Sequence, residues 1–247
     1  MAIVQFVLAL AVLGLLYSRM IKRETPGPIS KAQAVLPVVF GVLSVPVSFM
    51  LFLTVGGILL QSGITLDDLP AILRSIIASF VAAGLPEELA KLLFMLLTIR
   101  IFRARLRNVY EYILIGAGVG FGFTLLEEFF YGSQGLMAIL RLLTVAAHMV
   151  FGMIMARHLG MAALRRAEGK GGAPWEYALA VAVPVAIHTL LDAFTATNRL
   201  LDSTGDAEQM FGLILGLAAL AAMFVLQIRV IRRFKRNAEA YCGMRVN

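Results

Sequence analysis

Ala82-Ala83-Gly84-Leu85-Pro86-Glu87-Glu88-Leu89-Ala90-Lys91 sets two adjacent carboxylates and a lysine inside one of the most apolar parts of the chain. Proline suits the first turn of a helix, where its missing N–H has no intrahelical partner to lose. The acids that follow then fall where the helix dipole favours negative charge. The stretch reads as a membrane helix broken at 84–86, with a pair of acids at the fresh N-terminus. Each charge inside hydrocarbon costs roughly 2.5–3.5 kcal/mol on insertion scales, so such residues mark functional sites.

Around this stretch the composition is that of a membrane. Of 247 residues, 60% are hydrophobic and 15% charged, and the mean hydropathy is +0.86. The fold class expected is all-α: a polytopic transmembrane helix bundle forming a single integral membrane domain over 1–247. Its length suits about seven or eight crossings of a hydrocarbon core roughly 30 Å thick. The net charge of +7 would elsewhere suggest nucleic acid. Here the basic residues lie almost wholly between apolar runs, so they read as topology determinants and no nucleic-acid partner is expected. A single cysteine, Cys242, in the basic C-terminal tail excludes an intramolecular disulfide and a cysteine-cluster metal site.

The spans expected are 1–20, 35–60, 71–100, 110–131, 136–156, 177–197 and 210–230. The first has no basic residue ahead of it and Arg19, Lys22 and Arg23 behind it, the reverse of a cleaved signal peptide. Pro37 and Pro46 are expected kinks in the second. The segment 71–100 is either one broken traverse or a re-entrant piece followed by a helix from Pro86. A polar hinge is expected over 157–174, and acidic loops carry Asp67, Asp68, Asp202, Asp206 and Glu208. Counting 71–100 as one traverse puts 17 of the 22 basic residues on one side. The positive-inside rule then gives a multi-pass protein of the cell membrane, N-terminus outside and C-terminus cytoplasmic.

Few ionisable residues lie within the spans: Glu87, Glu88, Lys91, Glu127, Glu128, Arg141, His148, His188 and Asp192. Lys91 stands four and three residues after the two acids, within reach of either from the next turn. His188 and Asp192 share a face at i,i+4, as do Arg141 and His148 at i,i+7. Phe123 lies one turn before Glu127 and is placed to pack beside it. At 1.5 Å per residue, Glu87 lies about 20 Å, Glu127 roughly 25 Å and His188 about 16 Å from the cytoplasmic side, and His148 about 15 Å from the outer end of its span. All four fall between the midplane and the outer third.

Acids and histidines gathered at one depth suit the activation of water. A carboxylate in apolar surroundings serves as a general base near neutrality, and histidines orient it or stabilise an oxyanion. Alternatively His148 and His188 with Glu127 form a nitrogen/oxygen metal site, Zn2+ being the natural ion, with an open position for water. The residues leave metal-dependent and metal-free chemistry both open, and no His-Glu-x-x-His is present. Glu128, pointing about 100° from Glu127, reads as a boundary or supporting residue. Arg141 reads as the partner of an acid, Lys91 as a charge partner and His158 as interfacial. The alternating Gly116, Gly118, Gly120 and Gly122 read as a close helix contact.

Taken in order, Glu87-Glu88-x-x-Lys91, Phe123-x-x-x-Glu127 in a glycine-rich helix, a lone His148 and His188-x-x-x-Asp192 resemble the PrsW family of intramembrane proteases. The resemblance covers about 82–194, the expected catalytic core. It is related to the type II CAAX prenyl endopeptidases, which would carry Arg four places after the second acid, His where Glu127 stands and Asn where Asp192 stands. This sequence departs at all three. The resemblance implies Glu87 and Glu88 as the catalytic pair, with Glu127, His148 and His188 completing the site. Here Asp192 is expected to orient His188. It further implies cleavage of a membrane-anchored protein, of the anti-sigma-factor type, on the extracytoplasmic side, beginning a stress response. The rival readings are a cation- or proton-coupled transporter using Glu87, Glu127 and Asp192, and a non-catalytic membrane scaffold. A transporter of inverted repeats would show paired interruptions, and only one segment is broken.

Overall fold

The computed structural model describes residues 2–23, 28–63, 65–66, 68–130, 141–195 and 206–246, the side chains of 2 and 206–209 excepted. Its helices are α1 (Ala2–Ile21), α2 (Lys31–Gln61), α3 (Ala71–Ser79), α4 (Leu85–Phe102), α5 (Val109–Phe130), α6 (Ala147–Ala167), α7 (Ala173–Thr195), α8 (Asp206–Arg236) and α9 (Ala238–Gly243). Among the described residues the only β pairing is an isolated bridge between Asn108 and Arg245. Among the described residues, six helices are long and apolar enough to cross a membrane: Ile3–Ile21, Lys31–Gln61, Val109–Phe130, Arg141–Ala167, Ala173–Thr195 and Met210–Arg236. The expected all-α, multi-pass bundle is therefore what the chain forms.

The seventh expected traverse takes an instructive form. A π-helical turn, Phe80–Gly84, joins α3 to α4, and the Leu85 N–H reaches back five residues to the Phe80 carbonyl. Ser79, Phe80, Gly84 and Leu85 all keep right-handed helical angles. Pro86 has no N–H to give and its ring clashes with the carbonyl four residues back, so the turn before it widens. The interruption falls where the sequence places it, but the helix does not restart. Glu87 and Glu88 thus sit inside a continuous helical run from 71 to 102, not at an exposed N-terminus. Their charge must be met by side chains, because no free helix end is there to meet it.

Helix α5 runs through the middle, buried along most of its length, and packs on α6, α2 and α1. The glycine ladder explains how. A Cβ on Gly116 would come within 2.1 Å of the Gly152 carbonyl oxygen, and one on Gly120 within 2.2 Å of the His148 carbonyl oxygen. Close backbone approach of this kind is what small residues permit between membrane helices. It presses the start of α6, with His148, against the face of α5 that carries Glu127 one heptad later.

Several boundaries differ from the sequence-based expectation. Helix α2 begins at Lys31 because Ser30 and Gln33 form a capping box. Pro37 and Pro46 both lie within it. The hinge expected from 157 is helical to Ala167, since Leu159, Ala162 and Leu164 are buried and His158 pairs with Glu176 at 2.7 Å. The C-terminal region is not a loose tail. Tyr241 and Cys242 in α9 are buried against α1, α5 and α6, and Val246 N donates to the Arg107 carbonyl at 3.0 Å. Asp67, Asp202, and the side chains of Asp206 and Glu208 lie outside the described residues, as do residues 131–140 and Thr197.

Candidate active site

Four helices bring the sequence-predicted residues together. From α4 come Glu87, Glu88 and Lys91, from α5 Glu127 and Glu128, from α6 His148, and from α7 His188 and Asp192. Glu88 and Lys91 are wholly buried. The Lys91 ammonium donates to Glu88 Oε1 at 2.8 Å, lies 3.4 Å from Glu87 Oε2 and 2.9 Å from His148 Nδ1, and stands 3.9 Å above the Phe123 ring. Phe123 also packs on the His148 imidazole, with ring centres 4.8 Å apart. The aromatic one turn before Glu127 thus serves the histidine and the lysine.

Each histidine is fixed by a carboxylate through one ring nitrogen. His148 Nε2 lies 2.6 Å from Glu127 Oε2, and His188 Nδ1 lies 2.8 Å from Glu88 Oε1. A carboxylate only accepts, so those nitrogens donate, and in the neutral imidazole the opposite ones present lone pairs. The opposite nitrogens converge: His148 Nδ1, which also meets Lys91, is 4.0 Å and His188 Nε2 3.8 Å from the same Glu87 Oε2. Phe151 stacks on His188 at 5.2 Å and closes the site on the α6 side.

The roles expected from spacing shift in two places. Glu127 holds the far nitrogen of His148 and does not face the point where the lone pairs meet. Glu87 does. Asp192, expected to orient His188, shares that residue with Glu88, which takes Nδ1. Its Oδ2 lies 3.4 Å from Nε2, and its side chain is the most open of the group, 35% exposed. Arg141 and His148 are not on one helical face, because the turn 144–146 separates them. Arg141 nonetheless reaches the site, donating to Glu128 Oε1 from Nη2 at 2.8 Å and from Nε at 3.1 Å. His158 is remote, paired with Glu176 at the other end of α6.

Two neighbours carry no motif that marks them in the sequence. Gln5 on α1 donates its amide to Glu128 Oε2. The available signal is that Gln5 is the sole polar side chain in residues 1–16. Thr189 on α7 lies against the π turn, where a Cβ on Gly84 would meet its Oγ1 at 2.1 Å. Its position, next to His188, gives no sequence signal of that contact.

Against known proteins, the family model of PrsW family intramembrane metalloproteases matches residues 30–227, about four-fifths of the chain. The chain belongs to the PrsW family. It is a membrane-embedded protease, and its substrate is a membrane protein in a lipid environment. No curated protein and no solved structure matches it.

The family description implies a metal, and the residues of this PrsW member fit one. Ligand atoms of Glu87, His148 and His188 all lie within 4.8 Å of one another. Two imidazoles and one carboxylate are a donor set found in catalytic zinc hydrolases, which leave a fourth position open for water. The outer contacts fit equally well: metal-binding histidines typically donate their second N–H to a carboxylate, as both do here. Glu88 Oε2 adds an oxygen that is buried and without a hydrogen-bond partner among the described residues.

Proposed function

We propose that the chain hydrolyses a peptide bond of a membrane-anchored protein with a water activated between Glu87, His148, His188 and Glu88. The observation that carries this is the pair of carboxylate-fixed histidines whose opposite nitrogens face one oxygen of Glu87. In this reading Glu87 Oε2, His148 Nδ1 and His188 Nε2 hold a divalent cation, Zn2+ by donor type. When bound, the ion lowers the pKa of a water and polarises the scissile carbonyl.

The protein's own groups supply the rest. Glu127 and Glu88 keep the two imidazoles in the tautomers that expose lone pairs inward. Glu88 Oε2, unpartnered, is the acceptor for the proton leaving the water, and it returns that proton to the departing amine. Lys91 balances the acids and stabilises the Glu88 carboxylate from its other oxygen. Burial behind Phe123 and Phe151 keeps bulk water away, which strengthens each of these interactions. Asp192 lines the open side beside His188.

The anti-sigma-factor type of substrate and the extracytoplasmic side follow from the resemblance and from the basic residues gathered at the opposite ends of the spans. The test is cleavage of a single-span anchored protein in proteoliposomes. Wild type should yield two fragments, and Glu88→Gln should form them at least about a hundredfold more slowly. Equal cleavage by both would remove Glu88 from the chemistry.

A further inference from the structure

Outside the donor group, a polar connection runs away from the site toward α1. Glu127 and Glu128 are adjacent on α5, and one guanidinium spans them. Arg141 makes two hydrogen bonds to Glu128 Oε1, and its Nη2 lies 3.5 Å from Glu127 Oε1. The other oxygen of Glu127 is the one on His148 Nε2. The other oxygen of Glu128 takes the Gln5 amide, and Gln5 and Glu128 are each only 3% exposed. A continuous path therefore leads from Gln5 through Glu128, Arg141 and Glu127 to His148. Its first member belongs to α1, which precedes the matched residues 30–227.

We propose that Arg141 is a positioning residue that sets the rotamer of Glu127, and through it the tautomer and orientation of His148, with Glu128 and Gln5 of α1 holding the guanidinium in place. A lone Glu127 has several rotamers available at the outer end of α5, where its side chain is 17% exposed. The one observed presents Oε2 to His148 Nε2 and Oε1 to Arg141. The planar guanidinium, tied by two bonds to the buried Glu128, offers Oε1 a fixed cation and so selects that rotamer. Lysine keeps the charge without the fork, so it should replace Arg141 only in part. Helix α1 thereby becomes a working part of the site through one amide.

This inference rests on the proposed metal-binding reading, and the experiment separates the two. Co2+ and Zn2+ titrations of the full chain in detergent would compare wild type, Arg141→Met, Arg141→Lys and Glu128→Gln. They are paired with imidazole 15N spectra of the metal-free proteins, which contain three histidines. Loss of an outer carboxylate contact typically weakens metal binding 10–100-fold. Arg141→Met and Glu128→Gln should each fall in that range, with Arg141→Lys in between, and the His148 15N pattern should change from a single Nε2–H tautomer to a mixture. Wild-type affinity and an unchanged His148 pattern in both Arg141→Met and Glu128→Gln would overturn the proposal. Should Arg141→Met not fold, Glu128→Gln decides by the same two readouts. If wild type binds no metal, the metal reading falls, while the 15N comparison still decides the role of Arg141.

Discussion

The Lys91 ammonium lies 2.9 Å from His148 Nδ1, the same nitrogen that the Glu127 contact leaves free. One lone pair cannot serve both a lysine and a metal. Lys91 must leave Nδ1, keeping its bond to Glu88, whenever a cation is held there. Replacing Lys91 with Met should tighten Co2+ binding by roughly tenfold or more, since a hydrogen bond to a charged group is worth about 1.5–3 kcal/mol. It should also lower the unfolding temperature, because Glu88 is left as a buried, unneutralised acid. Competition titration and thermal unfolding in detergent measure the two effects. Weaker metal binding would contradict the account.

Glu87 and Glu88 are adjacent in sequence and differ in task. Glu87→Gln should lose metal binding and activity together, since it removes a ligand. Glu88→Gln also loosens the His188 contact and should weaken metal binding about 10–100-fold, but at saturating metal it should still lower kcat by about 10²–10⁴, the range for removal of a general base. Metal analysis beside single-turnover cleavage distinguishes the pair.

Gly84 has no room for a side chain. Its Cβ would meet Thr189 Oγ1 at 2.1 Å and Thr189 Cβ at 3.1 Å. Gly84→Ala should therefore cost about 1–3 kcal/mol, the usual range for overpacking. Combining it with Thr189→Ala removes the nearest atom and should restore most of that loss. A double-mutant cycle on thermal unfolding reads the coupling directly.

The α5–α6 contact predicts a graded result. Gly120→Ala pushes on the His148 backbone and should reduce activity more than its loss of stability explains, because it displaces a ligand. A Cβ on Gly57 in α2 would meet nothing within 4 Å. Gly57→Ala should be neutral or slightly stabilising, as helix propensity favours alanine by up to about 1 kcal/mol. Cleavage rates set beside unfolding temperatures for the two variants check the contrast.

Much of this molecule is readable from its residues. Apolar runs separated by basic clusters give the multi-pass helical bundle, and carboxylates and histidines stranded in those runs name the site. The order of Glu87, Glu88, Lys91, Glu127, His148, His188 and Asp192 points to the family. The partners are less legible, because spacing shows which residues share a face of one helix and says nothing about rotation between helices. That is why Glu87, not Glu127, faces the inner nitrogen of His148, and why Glu88, from another helix, holds one His188 nitrogen while Asp192 lies by the other. The form of the interruption at Pro86 is equally hidden. A proline is compatible with a helix start or with a widened turn, and packing of Gly84 on Thr189 accompanies the second. Gln5 and the buried C-terminal helix α9 act through contacts with residues more than a hundred positions away, which local pattern does not record.

The most direct test of the central claim is the metal content of purified protein by mass spectrometry, taken with cleavage in proteoliposomes before and after chelation. The account predicts about one zinc-type ion per chain in wild type, strongly reduced in His148→Ala, His188→Ala and Glu87→Gln, with cleavage lost on chelation and restored by readdition. Cleavage that persists in a chelated, metal-free wild type would contradict it.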